Sequence, residues 1–251
     1  MMFGHGDRDN AKECWLRTTA RAERPDVIVV SGDVHESVPQ LWDTVNPFSG
    51  LVRIFGDVTP VVFVLGNHEM FFRTWRETVE YYRAKSRGYD SVRCLDVDGS
   101  FCFGGVTFLG NFLGYDGSTG TMPGQVVDDW AGGNWADSNI VGYGGQYQEH
   151  TAMLQDSIRS ALISAVGTTV LVTHTVPHSS LNGWIEIDRA RGGSPYNAYS
   201  GLSDFLETIK ADYSLSGHTH SRVMGRTING CRCVNIGNDY DKPWAHHVLE
   251  I

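Results

Sequence analysis

The stretch Val61-Val62-Phe63-Val64-Leu65-Gly66-Asn67-His68-Glu69 decides the fold, because five apolar residues lead through a glycine into three polar side chains. A run of β-branched and aromatic residues is typical of a buried strand, and the buried strands of open α/β sheets present ligands at their carboxyl ends. The same pattern recurs at residues 27–33, 170–174 and 213–220. Four apolar strands that each deliver Asp, Asn or His at the same end predict a metal site.

These motifs resemble those of the calcineurin-like metallophosphoesterase family, in the same order and over essentially the whole chain. The matching segments are Gly32-Asp33, Gly66-Asn67-His68-Glu69, Thr173-His174 and Gly217-His218-Thr219-His220. The likeness is greatest to small bacterial and phage members, whose Thr-His-x-x-Pro segment is similar to residues 173–177. Each motif alone is weak evidence, whereas four in sequence are a strong signal.

The resemblance implies a four-layer αββα sandwich, in which two mixed β-sheets pack face to face and helices flank each sheet. With 251 residues the chain suits one domain, residues 1–251. Helices are predicted at residues 10–23, 73–87, 146–166 and 200–210. Hairpins are predicted for residues 92–97 with 101–109 and for residues 223–228 with 231–236. Residues 246–251 are expected to close the second sheet.

The family's metal ligands, carried onto this chain, divide into two sets. Asp33, Asn67, His174 and His218 would hold one divalent cation. His5, Asp33 and His220 would hold the other, so the carboxylate of Asp33 would bridge the two. Nitrogen and oxygen ligands without a thiolate suit Mn, Fe or Zn.

The resemblance also implies a reaction, the hydrolysis of a phosphomonoester or phosphodiester by a metal-bridging hydroxide. His68 would lie beside the leaving oxygen, where an imidazole that titrates near neutrality can act as general acid or steady the phosphoryl oxygens. Glu69 would orient His68 or a metal ligand without binding the metal itself.

The first motif departs from the family pattern. The family begins with Asp-x-His after a buried strand, and Phe3-Gly4-His5 stands in that place here. His5 can fill the histidine position, but Phe3 cannot bind a cation. The start is either truncated or altered, or the chain is a divergent member that lacks one ligand; Asp7 or Asp9 could replace the carboxylate or could cap the following helix. Loss of the ligand predicts a weakened first metal site and reduced or Mn-demanding activity.

A function of another class is a non-catalytic scaffold that keeps this fold with an eroded first metal site. A scaffold should have lost several metal ligands, whereas this chain lacks one and retains His68. The enzyme is therefore the favoured reading.

Several other polar residues leave two interpretations open. His178 suits a contact with substrate and a surface loop equally well. Asp116 or Asp137 could match the substrate-side Asp that resembling proteins place in the Gly-rich stretch 110–145, although a loop anchored by its aromatic residues is at least as good an account. Arg189 and Arg191 could bind phosphate oxygens, but paired surface arginines are commoner.

The composition limits the partners. A net charge of −9 argues against a broad nucleic-acid or anionic-membrane footprint, and the resemblance implies a small phosphoester substrate. No apolar run reaches the roughly 18 residues of a membrane span, and no signal peptide is recognised. Five cysteines, an odd and scattered set, are interpreted as reduced core residues of a cytoplasmic protein.

Overall fold

The computed structural model describes residues 7–34, 46–56, 59–114, 136–142, 146–183, 204–237 and 246–251. The residues discussed above that lie outside these ranges are Phe3, His5, Asp116, Arg189 and Arg191. Asp7 and Asp9 lie within the first helix by their backbone, and their side chains are also outside the description.

Three parallel strands form the smaller sheet, in the order β1 (Ile28–Val30), β2 (Val61–Phe63) and β3 (Val92–Cys94). Because the strands are parallel, their carboxyl ends meet at one edge. The central strand β2 and the next two residues, Val64 and Leu65, have no solvent-exposed surface. A strand that is covered on both faces needs an unbroken apolar run, which explains the sequence of this stretch.

Helices cover the outer face of the smaller sheet. They are α1 (Asp7–Glu23), α2 (Pro47–Phe55) and α4 (Trp75–Lys85), while the single turn α3 (Asn67–Met70) follows β2 directly. Thr74 caps the start of helix α4: its hydroxyl accepts the backbone N–H of Glu77, while the Glu77 carboxylate accepts the N–H of Thr74. This reciprocal capping satisfies two backbone donors at the start of the helix.

Within the described ranges, the larger sheet has six strands in the order β4-β5-β6-β7-β9-β8. Their bounds are β4 (Ser100–Phe103), β5 (Val106–Asn111), β6 (Thr168–Thr173), β7 (Tyr213–Ser216), β8 (Val223–Ile228) and β9 (Cys231–Asn235). The four inner strands run parallel, and the two edge strands, β4 and β8, pair antiparallel. The remaining α-helices of the described residues are α5 (Leu95–Asp98), α6 (Tyr147–Ser164) and α7 (Phe205–Thr208).

The core divides according to the alternation of side chains along each strand. Val61, Phe63 and Leu65 pack among the residues of α2 and α4. Val62 and Val64 point the other way and join a cluster that includes Val170 and Val172 of the larger sheet. Leu171 of the same strand faces the outer cluster, which contains Ile158 of α6 and Phe205 of α7.

This arrangement confirms the predicted four-layer αββα sandwich, with the two sheets face to face and helices outside each. The larger sheet is mixed, as expected. The smaller sheet, as far as it is described, is wholly parallel. The hairpin of β8 with β9 is confirmed, and its turn residues Asn229 and Gly230 both have positive φ values, +49° and +84°.

The other predicted hairpin is wrong. Residues 92–94 pair with β2 rather than with residues 101–109, and Asp98-Gly99 ends the short helix α5 instead of forming a turn. The antiparallel partner of β5 is β4, and the turn between them lies at Gly104-Gly105, both with positive φ. Two adjacent glycines adopt the left-handed conformations of a tight hairpin turn without steric cost, so they form it here.

Three further expectations are corrected. Residues 246–251 do not form a strand, and the helix predicted at 200–210 extends, within the described residues, only over Phe205–Thr208. All five cysteines are free, but Cys14 and Cys102 are exposed rather than in the core. Cys14 lies on an exposed face of helix α1, and Cys102 lies in the edge strand β4. Among the described residues, no helix is both long enough and apolar enough to cross a membrane.

The carboxylate of Asp96 joins the two sheets near the ends of their strands. One oxygen accepts the backbone N–H of Leu65 at 2.6 Å, after β2, and the other accepts that of Phe112 at 2.8 Å, after β5. Burial raises the pKa of this carboxyl to about 7, although the two backbone donors oppose the shift.

We expect this pKa to appear in the pH dependence of stability. Between about pH 4 and 7 the folded protein keeps a proton on Asp96 that the unfolded chain has lost, so the group's contribution to the free energy of unfolding falls as pH rises through that window. Urea unfolding at pH 5 and pH 8 should show that wild type loses more stability between the two than Asp96→Asn does. Equal losses in the two proteins would contradict the assignment, and Asp156→Asn, at an exposed carboxylate, is the charge-matched control.

Candidate metal centre

The predicted ligands follow four parallel strands that end at the same side of the sandwich. Asp33 comes after β1 and Asn67 after β2, both in the smaller sheet. His174 follows β6, and His218 and His220 follow β7, in the larger sheet. The backbone N–H of Gly217 donates to the carbonyl oxygen of His174 at 3.0 Å, which ties the last two segments together.

The ring of His174 is the centre of this group. Its Nε2 atom lies 2.9 Å from Oδ1 of Asn67, 3.1 Å from Nδ1 of His218 and 3.5 Å from Oδ1 of Asp33. The ring is 1% exposed and stacks on Phe112 with its centroid 5.9 Å away. The structure therefore brings together the four residues that were predicted to hold one cation.

The protonation state of His174 follows from its other nitrogen. Nδ1 lies 2.8 Å from the carbonyl oxygen of Ser31, which can only accept, so Nδ1 carries the proton. Burial lowers the pKa of His174, so the ring is neutral and Nε2 presents a lone pair.

The amide of Asn67 also presents a lone pair to this group. Its Nδ2 donates to Oδ1 of Asp137 at 2.7 Å, so its oxygen is the atom that faces His174. Two acceptors, Nε2 of His174 and Oδ1 of Asn67, thus face each other at 2.9 Å with no proton of their own between them. Such a contact is unfavourable unless a cation lies beside both atoms. This donor set fits a divalent metal.

The spacing agrees with this conclusion. Ligand atoms about 2.1 Å from a common cation are separated from each other by roughly 3.0 to 3.4 Å in octahedral or tetrahedral geometry. In the described part of the chain, however, no group of three or more His, Cys, Asp or Glu side chains is arranged to hold a metal without help from other residues. A cation at this place would need the amide oxygen of Asn67 as a ligand.

Asp33 is the residue that belongs to both sets of predicted ligands. Burial opposes ionisation of its carboxyl, yet the neighbouring histidines, His174 first, hold its pKa well below the usual value. The carboxylate of Glu69 accepts the backbone N–H groups of Gly66 at 2.6 Å and of Asp33 at 3.1 Å. Glu69 therefore fixes the two turns that carry Asp33 and Asn67.

The two histidines after β7, His218 and His220, are both half-buried. Burial, and then the ring of His174, lowers the pKa of His218 far below its ordinary value. His220 is half-buried and close enough to contribute to that shift. Both residues, like Asp33, have positive φ values, +67° for His218 and +52° for His220. Non-glycine residues adopt this conformation at a cost, and such positions concentrate at functional sites.

His68 joins the group from its other side. Its backbone N–H donates to Oδ1 of Asp33 at 3.3 Å, and its ring packs against Phe71 with centroids 4.7 Å apart. Its Nδ1 atom is buried and has no hydrogen-bond partner among the residues that the structure describes. A buried polar atom of this kind is commonly satisfied by water or a ligand.

Two of the residues with open interpretations have contacts in the described part of the chain. His178 caps the 3₁₀ helix Ser179–Leu181, where its Nδ1 accepts the N–H of Ser180 at 3.1 Å. Asp137 lies in the 3₁₀ helix Ala136–Asn139, is completely buried and contacts Asn67. No local sequence signal links Asp137 to Asn67, since seventy positions separate them.

Glycines before the ligands make room for them. A Cβ atom on Gly32, which has a φ of +81°, would overlap the ring of His174. A Cβ atom on Gly66 would overlap the carboxylate of Asp33, although its backbone conformation is open to any residue. Gly32 and Gly66 are therefore required by the close approach of a ligand from another motif.

We expect Gly66→Ala to displace Asp33 and to lower the free energy of unfolding by about 1–3 kcal/mol, as overpacking does elsewhere. Chemical unfolding of the metal-free protein measures the effect. Gly50→Ala is the matched control, since a Cβ atom there meets nothing within 4 Å and Gly50 lies inside α2. The control should gain roughly 0.5–1 kcal/mol from its higher helix propensity. Equal stability of Gly66→Ala and wild type would contradict the steric argument.

Comparison with known proteins agrees with this geometry. The sequence matches the calcineurin-like phosphoesterase family over residues 5–222. One crystal structure covers 95% of this chain and 89% of its own, with a TM-score of 0.52 and 13% identity, and supports the fold alone. A dimetal phosphatase from Danio rerio covers 96% of this chain and 85% of its own, at 14% identity, but its TM-score of 0.48 is too low to carry an argument. No curated protein matches. Because the family match spans most of this chain, the chain belongs to the calcineurin-like phosphoesterase family.

Proposed function

We propose that this protein is a metal-dependent phosphoesterase that hydrolyses a small phosphomonoester or phosphodiester. Family membership supports the reaction class. The observation that carries the proposal is the convergence of unprotonated Nε2 of His174 with the oxygens of Asn67 and Asp33, since these lone pairs need a cation. A net charge of −9 favours a small substrate over a nucleic acid.

Asp33, Asn67, His174 and His218 would hold one divalent cation. His220 and His5, with Asp33 between the two sites, would hold a second, weakened by Phe3 in the position of the family's carboxylate. Nitrogen and oxygen ligands of this kind suit Mn, Fe or Zn.

Bound cations would activate water as the nucleophile and neutralise the phosphoryl oxygens. The residues of the chain supply the rest. The pKa of the Asp33 carboxyl lies well below its usual value, so Asp33 stays ionised and presents negative charge to both proposed sites. His68, anchored by its backbone to Asp33 and by its ring to Phe71, would donate a proton to the leaving oxygen.

A non-catalytic scaffold is the second candidate. It is supported by the finding that the described His, Cys, Asp and Glu side chains form no complete metal site among themselves. A scaffold of this kind would bind little metal and would turn over no ester.

Metal content separates these two functions. We expect purified protein supplied with Mn²⁺ to contain bound metal and to hydrolyse a nitrophenyl phosphomonoester or phosphodiester. Asp33→Asn should lose most of its bound metal and most of its activity, because it removes the charge that serves the two proposed metal sites. Asp156→Asn should keep its metal and its activity. Elemental analysis and release of nitrophenolate provide the two readouts. Wild-type protein without metal and without turnover would overturn the enzyme and leave the scaffold.

The role of His68 predicts a dependence on the leaving group. His68→Gln should slow hydrolysis of an alkyl phosphoester by about 10²–10⁴-fold, the usual value of general acid catalysis. Nitrophenolate departs without being protonated, so the aryl ester should be affected much less. Steady-state kinetics on the two esters, with metal content measured alongside, tests this expectation. Equal losses on both esters would argue against proton donation by His68.

A further inference from the structure

The proposed metal centre depends on which end of the Asn67 side chain faces the cation. The oxygen and the nitrogen of an amide have nearly the same shape, but only the oxygen has a lone pair that can bind a metal. Asn67 is 5% exposed, so water cannot select the orientation freely. A neighbouring group must do so.

The carboxylate of Asp137 is that neighbour. It has no solvent-exposed surface, and its Oδ1 accepts a hydrogen bond from Nδ2 of Asn67 at 2.7 Å. An ionised carboxylate only accepts, so it selects the NH₂ end of the amide. The opposite orientation would place the Asn67 oxygen against a carboxylate oxygen and would turn the NH₂ group towards the metal.

Backbone hydrogen bonds hold Asp137 in this place. The N–H of Phe72 donates to the carbonyl of Asn139 at 2.7 Å, and the N–H of Val141 donates to that of Arg73 at 3.0 Å. These bonds begin five residues after Asn67, so the segment that carries Asp137 is docked on the chain that carries the ligand. Ile140 anchors it further in a cluster with Met70 and Phe71.

We propose that Asp137 is a positioning residue of the metal centre, which fixes the Asn67 amide with its oxygen towards His174 and the cation. The inference rests on the proposed function, which it deepens by one residue. It also differs from a substrate-side role, because Asp137 is buried against a ligand. Groups that orient a metal ligand in this way typically contribute about 10–100-fold to metal affinity.

The first test measures Mn²⁺ affinity by calorimetry. Asp137→Asn can donate to Asn67 as well as accept, so it no longer selects one orientation, and the dissociation constant should rise by about tenfold or more. Asp156→Asn removes the same charge at an exposed site and should bind Mn²⁺ as wild type does. An unchanged dissociation constant in Asp137→Asn would overturn the proposal.

A reciprocal exchange sharpens the test. Asn67→Asp alone sets two carboxylates against each other and should fold or bind Mn²⁺ poorly. In Asn67→Asp combined with Asp137→Asn, the new amide donates to one oxygen of the new carboxylate and leaves the other facing His174. Mn²⁺ affinity should therefore recover well above that of either single variant. A double variant no better than the singles would overturn the proposal.

A readout in metal-free protein keeps this inference separate from the proposed function. In ¹⁵N-labelled protein the side-chain amide of Asn67, identified by its loss in Asn67→Asp, should exchange slowly with solvent because it is buried and hydrogen-bonded. Asp137→Asn should shift this resonance and speed its exchange, and an unchanged resonance would overturn the role of Asp137. If wild type binds no Mn²⁺ and has no activity, the proposed function fails, and the resonance alone decides whether Asp137 orients Asn67.

Discussion

The rest of the site depends on the contacts of the His174 imidazole, because this ring links the larger sheet to the smaller one. Its backbone follows β6 of the larger sheet, its Nδ1 donates to Ser31 after β1, and its Nε2 meets Asn67 after β2. A buried polar ring must keep its partners, so the two sheets must hold their strand ends within hydrogen-bonding distance. Asp96 reinforces the same alignment by accepting one backbone N–H from each sheet.

This alignment has a conformational cost that the surrounding packing offsets. Asp33, His218 and His220 all have left-handed backbone conformations, which cost on the order of 1–3 kcal/mol each in non-glycine residues. The turns are held by backbone hydrogen bonds, to Glu69 on one side and from Gly217 to His174 on the other. The acceptors are thus already close together before a cation arrives. Binding of a cation would relieve their repulsion, which explains why such a strained arrangement can be useful.

The layers of the fold could be predicted because burial leaves a direct trace in the sequence. The run from Val61 to Leu65 is apolar at every position since one side meets helices and the other meets the second sheet. The pairing of residues 92–94 could not be read in the same way. Their parallel partner lies thirty-one positions earlier, and an apolar segment before Asp98-Gly99 suits a hairpin equally well. The hairpin turn forms at Gly104-Gly105 instead, and only the packed sheet distinguishes the two pairings.

The sequence by itself determined the types and the order of the candidate ligands, because each stands directly after an apolar strand and the strands of such sheets end at one edge. It also determined where glycines precede them. The tertiary structure alone decided which atoms face one another: that His174 is protonated on Nδ1 through Ser31, and that Asn67 presents its oxygen because Asp137 accepts from its nitrogen. Those partners lie 143 and 70 positions away, and hydrogen bonds across such distances leave no local pattern. Chain topology brings the donors and acceptors together, and their chemistry then fixes the orientation.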